Sequence, residues 1–466
     1  MYYASMILAL AIFLAVNAHF WRTGLLSVFH PFTYYSAFHF IVFVFRPLLA
    51  YHMEYDLVYG FGNFYPSMQT RIIVSLAASL GFVVFYITCV GTGRTEMIFK
   101  GDAARSYERV ELRRALPVML IVCLPLALYS LVTSISNASL GVTTMVDAGD
   151  AIINTTGVGY ISEAMRFLVP ICALVAWFYR FRWYALVPLV AFFVLKASTG
   201  GRALFILAVA VTGLLYLYDR RDKLPPVRFA VLGALMLVFF TFVGDDRGYR
   251  LRQTLGFVDA EVTYAYVREE RFLEGMDFAN KEYFEYIVHV VPERSGTYDY
   301  FLLNLQLFTE PVPRVLWPDK PVGAPIKPVN IWAYGTPRGF TWSMPGTGWL
   351  QLGWIGVIIW CGLWGWACGR FYEWFVKSDQ SALKVATYVV SLTSLLIVFR
   401  DGTVVTLARG HIFYMFPLIV LWAARNSMRL PTLRQIQRHF MERWARDQRA
   451  KRAQQRQLPQ PGAAPG

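Results

Sequence analysis

Apolar residues run along this chain in unbroken blocks of about twenty, separated by short polar segments. Blocks of that length match helices that cross a membrane. We read eleven, at residues 2–20, 32–50, 71–91, 115–133, 160–178, 183–196, 202–218, 227–243, 347–367, 384–399 and 410–424. The pattern predicts an all-α polytopic membrane protein with about eleven transmembrane helices and one large external loop. His30, His39 and Arg46 weaken the second span and the sixth is short, so each is read as spanning with a tilt or as re-entrant. The expected division is a membrane bundle over 1–243, an external loop over 244–346, a second membrane part over 347–424 and a basic tail over 425–466.

Composition agrees. Apolar residues make up 56% of the chain and charged residues 16%, against roughly 25% charged in soluble domains. A soluble enzyme and a secreted scaffold are excluded, and the lipid bilayer is an expected partner. The net charge of +14 does not indicate nucleic acid, because it is distributed by side. One alternating set of short segments, with the tail, holds 26 Lys/Arg, whereas the opposite set holds 6. The positive-inside bias then predicts a cytoplasmic tail and an external N-terminus. No basic residue precedes the first span and Arg22 follows it, which predicts a retained anchor rather than a cleaved signal. The tail reads as a basic juxtamembrane helix with a disordered end. Five cysteines, all inside apolar stretches, read as small packing residues.

The segment 244–346 carries 11 Lys/Arg and 14 Asp/Glu, too long and too mixed for a mere connector. Its first part, Asp245 to about Tyr286, reads as helical, with Val258, Val262, Tyr266 and Val267 recurring at three- and four-residue spacing. Prolines at 311, 313, 318, 321, 325 and 328 predict a fixed irregular path further on. Nine of the fourteen tryptophans fall between 317 and 374. Interfacial belts account for those at helix ends. Trp317, Trp332 and Trp342 are the candidates for stacking on sugar rings.

Arg46, Arg166, Lys196, Arg202, Arg400 and Arg409 lie in or beside spans, all at the predicted external ends. Charges there are costly and are usually paired, snorkelled or functional. Six on one side run against the positive-inside bias, and a shared phosphate-type anion would account for them. Glu163, three residues before Arg166, reads as its partner. In Lys196-Ala197-Ser198-Thr199-Gly200-Gly201-Arg202, glycines and helix-start amides suit close approach of an anion.

The segment Glu310-Pro311-Val312-Pro313-Arg314-Val315-Leu316-Trp317-Pro318-Asp319-Lys320-Pro321 resembles a stretch of bacterial O-antigen (oligosaccharide repeat unit) polymerases of the Wzy type. The turn ending in Arg202 and the run Gly346-Thr347-Gly348-Trp349-Leu350-Gln351-Leu352-Gly353-Trp354-Ile355-Gly356 are similar to the same group. Gln351 and Thr347 stand where more acidic character is expected, and the long loop lacks an Arg followed by Gly eleven positions later. The resemblance spans about 310–356 and elsewhere is only topological. It implies a GT-C-like membrane glycosyltransferase of the bacterial inner membrane, without metal or cofactor. Such an enzyme joins polyprenyl-diphosphate-linked oligosaccharides at the external face, with a chain-length regulator and a flippase as implied partners.

A lipid-diphosphate leaving group needs cations on its oxygens. Arg202, Arg314, Lys320 and Arg409 are the first candidates; Arg247, Arg250 and Arg252 are the second. A base must take the acceptor hydroxyl proton, and Asp319, Glu310, His289 and His411 are the candidates. Asp319 reads also as a holder of Arg314 or Lys320, His411 as a satisfied interfacial histidine, and Asp401 as the partner of Arg400. An O-antigen ligase or other lipid-carrier-dependent glycosyltransferase, or a transporter or flippase of lipid-linked sugars, are the competing readings. No internal repeat of the transporter kind is visible.

Overall fold

A computed structural model describes residues 1–62, 64–139, 145–147, 152–154, 159–199, 203–229, 231, 233, 249–257, 273–275, 278–312, 316–321, 323–335 and 340–457. The longer helices are α1 (Tyr2–Arg22), α2 (Pro31–His52, with a wide π-type turn over Phe40–Phe45), α3 (Met68–Thr92), α4 (Ala103–Leu112) and α5 (Leu116–Ser139). They continue as α6 (Leu168–Phe178), α7 (Trp183–Ala197), α8 (Ala203–Arg220), α9 (Asn280–Val290) and α10 (Met344–Lys377). The last three are α11 (Ala382–Asp401), α12 (Val404–Ser427) and α13 (Leu433–Gln457). One small antiparallel hairpin pairs Met145–Asp147 with Ile152–Asn154.

The protein is an all-α, multi-pass membrane protein. Among the described residues, nine helical stretches are long and apolar enough to cross a bilayer, and α7 is a tenth, shorter apolar helix. Helices are the expected solution, since a lone segment in lipid must satisfy its backbone polar groups internally. The span expected over 227–243 lies mostly outside the described residues, as does the Val258–Val267 pattern. All five cysteines are buried and free.

Helix α3 sits at the centre, against α1, α2, α9 and above all α10. The α3–α10 contact is made by small residues. A Cβ added at Gly365 would reach 2.6 Å from the Phe85 carbonyl oxygen, and one at Gly369 would strike that of Cys89. This spacing of two glycines four residues apart lets backbones approach closely where lipid supplies no hydrophobic drive between helices.

The expected single span at 347–367 needs correction. Helix α10 is broken at Leu352 and Gly353, where Gly353 adopts φ 59 and ψ −136. An unbroken helix would hold Gly348 and Gly356 roughly 12 Å apart. Instead a Cβ on Gly348 would come within 2.7 Å of Val357 Cα. Residues 344–351 therefore form a short helix folded back on the start of the long one, and all eight are buried. Ser343 caps it, its hydroxyl accepting from the Gly346 N–H at 3.2 Å.

The stretch read as loop also sends a helix into the bundle. Every residue of α9 except His289 is buried, charged ones included. Arg46 of α2, 1% exposed, forms an ion pair with Glu282. Its other nitrogens donate to the carbonyl oxygens of Leu273 at 2.7 Å and Glu274 at 3.3 Å. Lys281 pairs with Glu285 one turn along, and the Tyr59 hydroxyl donates to the same carboxylate. Burial opposes the Lys281 charge, but Glu285, Tyr2 and Glu282 together outweigh it and raise the ammonium pKa. Arg46 thus joins no shared anion site, because α9 supplies its counter-charge.

Candidate functional site

The corner between α11 and α12 gathers most of the remaining cations. Arg400 and Asp401 end α11, Gly402 turns the chain at φ 71, and Arg409 lies in the second turn of α12. Three contacts hold the corner. The Arg400 carbonyl accepts from the Ser343 N–H at 2.9 Å and from the Asn280 amide at 2.7 Å. The Gly402 carbonyl accepts from Trp360 Nε1 at 3.0 Å. The short helix 344–351, α9 and the long arm of α10 therefore all brace one turn.

Around it stand charges from four parts of the chain. Arg166, in the 3-10 turn before α6, pairs with Glu163 and donates to the Tyr414 hydroxyl at 3.3 Å. Lys196, buried at the end of α7, lies within electrostatic reach of both Arg166 and Glu163. Arg252 donates to the carbonyl of Ser198, just beyond α7. Asp401 lies 3.9 Å from Arg400 and feels Arg166 and Arg409 as well. Arg409 reaches the Glu310 carboxylate at 3.4 Å. Among the described residues, Arg166, Lys196, Arg400 and Arg409 gather at this end of the bundle with Glu163, Asp401 and Glu310.

Glu310 and Lys320 bring the proline-rich segment to this corner. The Glu310 carboxylate also accepts from Gln306 at 3.2 Å. Lys320 donates to the carbonyl oxygens of Glu310 at 2.9 Å and Val312 at 3.1 Å. The segment is thus folded back on itself by an ammonium that ties its own backbone. The expected grip of Asp319 on Lys320 is not formed: carbonyls hold that ammonium, and Asp319 is exposed with no ion pair among the described residues.

The other candidates sit elsewhere. His411 faces α11, where its two ring nitrogens meet the Ser391 and Ser394 hydroxyls at 3.4 and 3.1 Å. Ser394 precedes Asp401 by seven residues, so His411 is turned toward a level roughly 10 Å deeper. His289 lies in the last turn of α9, nine residues and roughly 13 Å from Asn280, its ring 6.0 Å from that of Phe64. Burial, with Arg294 nearby, lowers its pKa. Trp332 and Trp342 flank Phe340 edge-on at 5.6 and 4.7 Å, in an aromatic cluster with Tyr283 and Tyr286. Trp317 is exposed on the proline-rich segment. Arg202, Arg247 and Arg314 lie outside the described residues. Arg250 falls in the helical turn Tyr249–Thr254.

Sequence reasoning missed Tyr414, which is 248 residues from the arginine it contacts. It singled out Gln351 and Thr347 but not their burial one turn apart, where among the described residues the Gln351 amide and Thr347 hydroxyl have no hydrogen-bond partners. No protein-family model matches the chain, and comparison with curated proteins and with solved structures gives no match.

Proposed function

We propose that this protein is a glycosyltransferase of the O-antigen polymerase type, joining polyprenyl-diphosphate-linked oligosaccharide repeat units at the external face of a bacterial inner membrane. One observation carries the reading. The segment that resembles those polymerases delivers Glu310 to a cation-rich corner at one end of the bundle, 3.4 Å from Arg409. Arg409, Arg400 and Arg166 then meet the diphosphate oxygens and stabilise the charge that develops as the group leaves. Glu310 takes the proton of the acceptor hydroxyl. The acceptor oxygen forms the new bond to the anomeric carbon with inversion. The bond from that carbon to the diphosphate oxygen breaks, and the lipid diphosphate leaves with the electron pair. A chain-length regulator and a flippase are the partners such a reaction calls for.

A deletion strain tests the reaction. Mass spectrometry of its surface glycan is expected to show loss of polymer with single repeat units retained. Loss of both would mean a ligase or a flippase instead.

In this reading the corner faces outside and α13 faces the cytoplasm. Because the native cysteines are buried, single exposed cysteines report sidedness. A membrane-impermeant maleimide added to intact spheroplasts is expected to label Asp319→Cys and to spare Met441→Cys until the membrane is opened. The opposite pattern would put the corner on the wrong side for lipid-linked repeat units.

A further inference from the structure

At the far end of α11 from the cation-rich corner, a cavity of about 270 Å³ opens between α4, the ends of α6 and α8, and the start of α11. Ala382 is on its wall and Asp401 is in the corner, so the two places stand roughly 28 Å apart along one helix. Lys100, Arg105, Arg109 and Arg221 line the cavity with Asp102 and Asp219.

The way these charges are answered differs from one to the next. Arg109 pairs with Asp219, which Trp177 Nε1 also holds at 3.0 Å. Arg105 pairs with Asp102 at 2.7 Å. The other two cations meet backbone oxygens instead. Lys100 donates to the carbonyls of Lys377 and Ser378 at the end of α10. Arg221 donates to the Gly101 carbonyl at 2.9 Å. Neither has a carboxylate partner among the described residues, so two positive charges remain uncompensated on the cavity wall.

The frame around them is firm. Gln380, 1% exposed, accepts from the Lys100 N–H at 2.8 Å and the Tyr218 hydroxyl at 2.9 Å. Its amide donates to the Ile98 carbonyl at 2.8 Å. One buried side chain thus pins the 98–100 strand of chain against α8 and α11. The space is preformed and mixed in polarity, and a guanidinium and an ammonium on its wall carry the excess charge. A phosphate monoester carries about two negative charges and a lipid phosphodiester one, each with strong acceptor oxygens, and either answers that surplus in whole or in part.

We propose that this cavity binds a phosphate group, presented either by the headgroup of an anionic lipid or by a free phosphate ester. It is a second anion site, independent of the corner at the other end of the bundle and of the chemistry proposed there. The two sources differ in how the group arrives. A headgroup enters from the membrane surface, where α4 carries the docked tail helix through Ala104, Leu433 and Ile436. A free ester enters from solution.

The test uses the full-length protein in phosphatidylcholine nanodiscs. Titration calorimetry with glycerol phosphate and inorganic phosphate forms one arm. Native mass spectrometry of retained lipid, in nanodiscs doped with phosphatidylglycerol, forms the other. Saturable binding in the first arm assigns a free ester, and selective retention in the second alone assigns a lipid. Lys100→Gln with Arg221→Gln is expected to weaken the binding that is seen by about tenfold or more, the size of a lost charge-assisted contact. Arg438→Gln, on the exposed tail, is expected to leave it unchanged. Arg221→Gln alone alters an exposed side chain and repeats the test if the double variant fails to fold. No binding in either arm, or wild-type binding by the folded variants, overturns the proposal.

Discussion

Glu282→Ala is expected to destabilise the protein by about 3–5 kcal/mol, the cost of leaving a buried charge without its partner. Arg46 is 1% exposed and Glu282 2% exposed, so water does not replace the lost carboxylate. Two carbonyl oxygens still face the guanidinium, but they carry no formal charge. The readout is the thermal unfolding midpoint in detergent, with hydrogen exchange over α9 as the local probe. Arg46→Met combined with Glu282→Leu removes both charges and is expected to recover a large part of the loss, because apolar pairs of similar volume often replace buried ion pairs without penalty. Unchanged stability of Glu282→Ala would mean that α9 is not held to α2 by this pair. A double variant no better than the single would mean that the helix depends on the geometry of the pair and not on charge balance.

Arg409→Gln is expected to lower polymer formation about a hundredfold at normal protein level, as the loss of one transition-state contact to a developing charge does. Glu310→Gln is expected to do at least as much if it removes the base. The Arg409–Glu310 contact raises an alternative in which the two residues only hold the loop to α12. Exchanging them, as Arg409→Glu with Glu310→Arg, separates the cases. A holding pair works in either orientation, whereas a cation for diphosphate and a base for a hydroxyl do not. Recovery of long glycan chains in the exchanged variant would sink the catalytic assignment and leave a structural one. Both residues are part-exposed, so neither single change is expected to alter protein level much.

Some of this was plain in the linear chain and some was not. The helices at 2–22, 68–92, 382–401 and 404–427 follow from apolar runs, since lipid demands an internally bonded backbone whatever the neighbours are. The clustering of Arg166, Lys196, Arg400 and Arg409 at one end followed too, because alternating spans return the chain to the same side. Arg46 reads in sequence as one of the same six cations. Its fate was set by Glu282, 236 residues away, and periodicity within a segment carries no information about such a partner. Lys320, read as a diphosphate contact and as one of two cations that Asp319 could hold, donates to carbonyls eight and ten residues back. The proline-rich path decides that, and its turns come from packing and not from spacing.

Apolar runs and the sidedness of Lys and Arg determined, without any structure, that this is a helical multi-pass membrane protein with its stray cations at shared ends. Both are one-dimensional quantities: the length of a helix against the thickness of a bilayer, and charge counted by loop. Only the tertiary structure decided that 344–351 folds back and does not span. Hydropathy cannot tell a glycine-broken pair of helices from one long helix, since both are apolar throughout; the backbone break at Leu352 and Gly353 and the contact of Gly348 with Gly356 and Val357 distinguish them. It likewise decided that Asn280–Val290, rich in charge, placed in the external loop and read as helical only as far as about Tyr286, is buried. Burial of Lys281, Glu282 and Glu285 is tolerable because Arg46 and Tyr59 are brought to them, and each buried charge keeps a counter-charge or a donor.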